Sequence, residues 1–373
     1  MSLYGIYLEL HQELDIINGH FRKGLGFFDL QMFRDSAREF EVILKYQPDL
    51  QLVRLFYAIS MMASSKYNVA EFELNALLNQ SVDHAIQAAA WEALAQLYAE
   101  NHQYELARDA LMQVIELRES SVDAHLNLAI CSYTLGDYGQ AAIHAMNAAK
   151  LDPHDVLAWR IAGATLHTLR QNEEALTAYE EAMLHAPKHP LIKSEVARVL
   201  TTLSRTAEAT AMYKELMQHH EWAAEAYLGM AEIELMNRRY QEAMVYLKKR
   251  LSILRNDQKS LLWLGFAYYG DQELKKASDI FQQLQNTSPP ISLLASTGLA
   301  RIAADSHQEQ LAKQHLRVLF AQHDIRWRAH GLAEYGYLYA KLAQPHISVQ
   351  FFKKAMALDP SQPDANTMVE WLT

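Results

Sequence analysis

The sequence predicts an all-α solenoid of about ten helix–turn–helix repeats with a capping helix at each end. Two observations carry this expectation. A period of 34 residues recurs along the chain, and two positions in each period are always small. With each period numbered 1 to 34, position 8 is Gly24, Ala58, Ala95, Ala129, Gly163, Ala197, Ala231, Gly265, Ala300 and Gly336. Position 20 is Ser36, Ala70, Ala107, Ala141, Ala175, Ala209, Ala243, Ala277, Ala312 and Ser348. Two antiparallel helices approach near the short end of the ~8–10 Å packing range only where their side chains are small.

The clearest unit is 122–155, with a turn at Leu135-Gly136-Asp137 and a stop at Asp152-Pro153. Units 88–121, 156–189, 190–223, 224–257 and 258–291 share its register, and 293–326 and 329–362 follow after short offsets. Units 17–50 and 51–84 fit more loosely, with Lys23 at a normally apolar position and Ser64-Ser65 in place of the usual turn. Position 24 is usually large and apolar (Phe40, Leu111, Tyr179, Tyr213, Leu247, Phe281, Phe352) and fills the space beside the small residues. The expected organisation is a capping helix at 1–16, two divergent repeats at 17–84, eight repeats at 85–362 and a capping helix at 363–373. Leu3, Ile6, Tyr7, Leu10, Leu14 and Ile17 give the first cap its apolar stripe. The same stripe makes that helix a candidate homodimer contact.

These features resemble the tetratricopeptide repeat family over residues 17–362. Trp91 and Trp159 stand at the family's first aromatic position. Leu94-Ala95, Leu128-Ala129 and Leu264-Gly265 match its Leu-Gly pair, and Tyr98, Tyr268 and Tyr339 its following tyrosine. The resemblance implies a right-handed superhelix whose concave wall is made by the first helix of each unit. It also implies a groove lined by first-helix positions 2, 5, 9, 12 and 13. Here those supply Leu126, Ile130, Tyr133, Arg160, His167, Arg198, Leu228, Glu232, Phe266 and Tyr269, then Arg301 and Tyr337. Phe266 and Tyr269 read equally as residues packed between helices. The family's clamp for a chaperone C-terminal carboxylate is not matched: Asn127 fills its middle slot, but Glu92, Gln96, Leu157 and Ile161 stand where its other polar residues belong.

Catalytic chemistry is not expected. The sequence has no glycine-rich phosphate loop and no nucleophile elbow. Its one cysteine, Cys131, sits in a first helix and reads as a packing residue. The seventeen histidines include His185, His189 and His219-His220 at unit boundaries, where they read as turn residues; no metal or cofactor is expected. The net charge of −10 argues against nucleic acid, and no apolar run reaches the ~20 residues of a membrane span. A basic cluster, Arg238, Arg239, Lys248, Lys249, Arg250, Arg255 and Lys259, is offset by Glu242 and Asp257 and reads as a local, solvated outer face. The start of the chain, with Glu9, Glu13 and no early cation, is not expected to be a secretory signal, so a cytoplasmic location is expected. The expected function is a non-enzymatic scaffold holding a protein or peptide partner in the groove. The alternative is a peptide-responsive sensor whose superhelix changes shape on binding.

Overall fold

The computed structural model describes residues 17–81 and 83–359; both expected capping helices therefore lie outside the described residues. Among the described residues there are helices and turns and no strand. The chain divides into two compact units, residues 1–199 and 200–373.

The N-terminal unit contains α1 (17–29), α2 (Phe33–Tyr46), α3 (Gln51–Ala63), α4 (Tyr67–Gln80) and α5 (His84–Glu100). It continues with α6 (Tyr104–Leu117), α7 (Val122–Thr134), α8 (Tyr138–Leu151), α9 (Val156–Thr168) and α10 (Asn172–His185). The division falls inside α11 (Pro190–Thr202). The C-terminal unit contains α12 (Thr206–Leu216), α13 (His220–Met236), α14 (Tyr240–Ile253), α15 (Gln258–Gly270) and α16 (Leu274–Leu284). It ends with α17 (Ile291–Asp305), α18 (Glu309–Phe320), α19 (Ile325–Lys341) and α20 (Pro345–Leu358). Odd-numbered helices are the first helices of the repeats and even-numbered ones the second.

One turn joins every pair. Position 15 is in the left-handed region in all ten repeats: Gln31, Ser65, His102, Gly136, Arg170, Ser204, Arg238, Gln272, His307 and Ala343. The next amide always reaches back to the carbonyl five residues earlier, as in Asp137 N to Ser132 O (2.9 Å) and Lys66 N to Met61 O (2.9 Å). This is the Schellman arrangement that satisfies a helix's last carbonyls. Only Gly136 takes the conformation without a Cβ penalty. The Ser64-Ser65 segment, which departs from the usual turn in sequence, therefore makes the same turn in structure. Asp83, Ser121, Asp155, Asp257 and Asp324 cap the start of α5, α7, α9, α15 and α19 through their side-chain oxygens.

The small positions are the floor of the packing. All ten position-20 residues have no exposed surface. At position 8, Ala58, Ala129, Ala197 and Ala231 are equally closed, and the four glycines are buried. Where position 20 is serine, its hydroxyl donates to the position-8 carbonyl of the same repeat: Ser36 to Gly24 O (2.9 Å) and Ser348 to Gly336 O (2.7 Å). A buried hydroxyl is thereby satisfied without widening the gap.

Ring size and glycine placement are matched. Each aromatic ring at position 24 lies against a glycine. A Cβ added to Gly24, Gly163, Gly265 or Gly336 would stand 2.6–2.8 Å from Phe40, Tyr179, Phe281 or Phe352 of the same repeat. Tyr213 is the exception within its repeat, whose position 8 is Ala197; its ring lies over Gly229 of α13 instead, where an added Cβ would overlap the ring. Phe281 also meets Gly298 of α17. Repeats with leucine at position 24, such as those of Leu74, Leu111, Leu247 and Leu316, carry alanine at position 8.

Replacing Gly336 by Ala is expected to cost about 1–3 kcal/mol through overpacking against Phe352. Adding Phe352→Leu makes room for the new methyl. A double-mutant cycle followed by urea denaturation should show favourable coupling of about 1 kcal/mol; purely additive losses would contradict the ring–glycine fit.

Candidate functional site

Successive first helices touch one another within each unit: α3 with α5 and α7 with α9, then α15 with α17 and α17 with α19. Their common side is the wall on which the groove residues were expected. The structure separates those residues by register position. Position 5 is a seam between neighbouring first helices: Leu55, Leu126, Leu228, Leu262 and Thr297 are all buried there. Leu126 packs with Ala148, Ala149 and Ala158, and Leu228 with Ala231, Leu247 and Leu264. Both were expected in the groove, and both instead hold helices together with almost no surface for a partner.

Positions 9 and 12 are more open. Ile130 is 40% exposed and Tyr133 41%, which leaves both available for contact. His167 is half-buried and donates from Nδ1 to Asn172 Oδ1 (2.9 Å). Glu232 is paired with Lys259 (3.5 Å). Phe266 lies edge-on to Phe281, with centroids 5.0 Å apart, and is a helix-packing residue.

Arg160, at position 5, is committed within the chain. Its Nη1 meets Glu195 Oε1 at 3.4 Å, and Glu195 is buried. Burial pushes the Glu195 carboxyl above its ordinary range, while Arg160 and Arg198 pull against it. Arg198 is exposed beside this carboxylate. Sequence reasoning missed Glu195 as the partner of Arg160 because it lies on the next first helix and only folding brings the two together.

In the C-terminal unit the groove positions form a closed polar network. The Tyr269 hydroxyl donates to Asp305 Oδ2 (2.5 Å) and the Tyr337 hydroxyl to Asp305 Oδ1 (3.1 Å). Lys341 Nζ lies 2.8 Å from Asp305 Oδ1. Arg301 grips Glu334 with two bonds, Nε to Oε2 (2.9 Å) and Nη2 to Oε1 (2.6 Å), and lies over the Tyr337 ring. Tyr269, Arg301 and Tyr337 thus spend their polar groups on one another's helices. Burial raises the Asp305 carboxyl, but bonds from Lys341, Tyr269 and Tyr337 outweigh it and leave the group below its ordinary value of 3.8.

One open feature of the wall is a cleft of about 630 Å³ bounded by α3, α5, α6 and α7. Its apolar lining includes Ile59, Met62, Ala89, Ala93, Tyr104 and Ile130, with Cys131 buried among them. Burial pushes the Cys131 thiol pKa up, away from the nucleophilic thiolate. Glu92, Gln96, Asp123 and Asn127 add polar groups. Glu92 is held by Arg118 at 3.2 Å. Of the expected groove residues, only Ile130 lies in this cleft. Alanines at positions 2, 6 and 12 of α5 open it, a signal easily read as packing alone. No group of three or more potential metal ligands converges among the described residues, and none of their helices is long and apolar enough to cross a membrane.

The helical hairpins, their shared turn and the first-helix wall define an all-α helical-repeat protein. Residues 92–156 and 329–362 match two models of the tetratricopeptide repeat family. The chain carries tetratricopeptide repeats. It resembles a tetratricopeptide repeat protein from Parabacteroides merdae at 13% identity and TM-score 0.54, covering 76% of this chain and 98% of that one. It also resembles a monomeric mutant of IFIT1 solved with m7Gppp-AAAA, at 13% identity and TM-score 0.56, over 86% and 80% of the two chains. Among curated relatives, a Drosophila melanogaster homolog of the BBSome complex member BBS4 is 23% identical over 43% of this chain. Superkiller protein 3 of Schizosaccharomyces pombe is 23% identical over 65% of it. The aligned segments span 36% and 18% of those two relatives.

The Asp305 network carries a pH dependence. A carboxyl held below its unfolded value stabilises the fold above about pH 4 and loses that contribution as pH falls through its folded pKa. The stability difference between the natural protein and Asp305→Asn, followed by denaturant unfolding, is expected to be largest at pH 7 and to close below about pH 4. A difference independent of pH would contradict the assignment.

Proposed function

We propose that this protein is a non-enzymatic scaffold that holds an extended partner segment in the cleft between α3, α5 and α7. The observation that carries this reading is the alanine-lined opening itself. It is a concave, preformed site on rigid helices, apolar along its floor and edged by a few polar groups. Ala89, Ala93 and Ala99 leave room for side chains of modest size, and Ile59, Met62 and Ile130 supply apolar contact. The amides of Gln96 and Asn127 offer both donors and acceptors, which suits a peptide backbone. Asp123, exposed at the edge, favours a cation on the partner. The surrounding unit supports that sign, since residues 1–199 contain 15 Lys and Arg against 26 Asp and Glu.

Selection from a displayed library of random dodecapeptides on the folded full chain is expected to enrich segments that combine small apolar residues with a Lys or Arg. Ile130→Glu combined with Ala89→Arg should weaken a selected peptide at least tenfold while leaving helicity unchanged. Enrichment of acidic segments, or equal binding by the variant, would contradict this reading.

A further inference from the structure

The C-terminal unit carries a feature that the cleft does not use. Position 25 of the second helix follows the buried position 24 and is solvent-facing. In the C-terminal unit it is Lys214, Lys248, Gln282, Arg317 and Lys353, a cation in four of five second helices. The same position in the N-terminal unit is Glu41, Asn75, Met112, Met146 and Glu180. Lys249 and Lys354 double the charge at position 26. The gap at Gln282 is spanned by Lys275 and Lys276 at the start of α16; the ammonium groups of Lys276 and Lys248 lie 5.3 and 5.7 Å from the centre of the same Tyr268 ring. Exposed cations thus recur on α14, α16, α18 and α20, with Lys276 also paired to Glu273, whereas the sequence alone shows only a local cluster.

Three further observations show what the row can do. Lys248, Lys249, Arg317, Lys353 and Lys354 are exposed, and none is in an ion pair among the described residues. Arg250, which belongs to the same run of sequence, is different in kind. It is buried, bonded to Ala224 O (2.8 Å), Glu225 (3.1 Å) and Asp257 (3.2 Å), and serves the fold rather than the surface. Finally, the row is built on tyrosine and phenylalanine: Lys249 stands over Tyr227 and Tyr246, and Lys354 over Phe351. An ammonium already held on a ring gives up less side-chain freedom when it meets an anion.

We infer that this face binds an acidic protein segment, rich in Asp and Glu, laid across successive second helices. Charge complementarity selects a polyanion, because residues 200–373 hold 19 Lys and Arg against 18 Asp and Glu in a chain whose net charge is −10. The aromatic faces argue for protein over single-stranded nucleic acid. Tyr227 stacks on Tyr246, and Tyr335 and Tyr339 stack on Phe351, so these rings are engaged with one another and with lysines rather than open to bases.

The test uses the full-length chain and a labelled sixteen-residue peptide of glutamate and serine. Fluorescence anisotropy at low salt should show binding that weakens steeply as salt rises. Replacing Lys248, Lys249, Lys353 and Lys354 by Gln should weaken it at least tenfold, while Ile130→Glu in the cleft leaves it unchanged. Glutamine keeps helix propensity, and circular dichroism checks the fold. No binding, binding equal in the four-lysine variant, or tighter binding of a sixteen-residue oligothymidylate would each overturn the inference. A loss on Ile130→Glu instead would assign the peptide to the cleft and overturn it equally.

Discussion

The closeness of the two helices in each repeat, at positions 8 and 20, is the constraint from which the rest of the structure follows. With no exposed surface at any position-20 residue, there is no slack at this contact. A larger side chain on one helix therefore requires a smaller one opposite. Glycine appears wherever a ring fills position 24, and in the repeat of Tyr213 the glycine has moved to the next first helix. The contact also fixes the turn: two helices this close leave a connection so short that position 15 adopts the left-handed region whatever residue stands there. Stability in such an array is a sum of local terms, because each hairpin buries its faces only against its neighbours.

Each unit offers two kinds of surface, and this chain treats them differently. Leucine at position 5 closes the seam between first helices in several repeats, and the wall opens where alanines replace larger residues, as between α3, α5 and α7. In the C-terminal unit the equivalent wall is closed by Tyr269, Asp305, Tyr337, Arg301 and Glu334 bonding across three helices. Charge divides in the same way, with the acidic excess in residues 1–199 and the second-helix cations in residues 200–373.

The 34-residue period and the small positions were legible because close approach is a local demand, repeated in every hairpin. The glycine turn of Leu135-Gly136-Asp137 was legible for the same reason, whereas Ser64-Ser65 hid an identical turn behind residues that do not usually adopt it. The groove was harder to read. Register placed Leu126 and Leu228 on the first-helix wall, but their burial depends on how the next first helix leans on position 5, which no single repeat encodes. Glu195 lies a repeat away from Arg160, so their pairing emerges only from stacking. The basic row was obscured because Arg250, a buried structural cation, sits in the same run of sequence as the exposed lysines.

The central claim is that the position-8 and position-20 contact holds each hairpin and acts on its neighbours alone. Hydrogen exchange of the Ala175→Leu variant, resolved by peptide mass spectrometry, tests it most directly. The leucine is expected to lower protection in α9 and α10, more weakly in α8, and not at all in α19 and α20. Unchanged protection in α9 and α10, or a uniform loss along the chain, would contradict it.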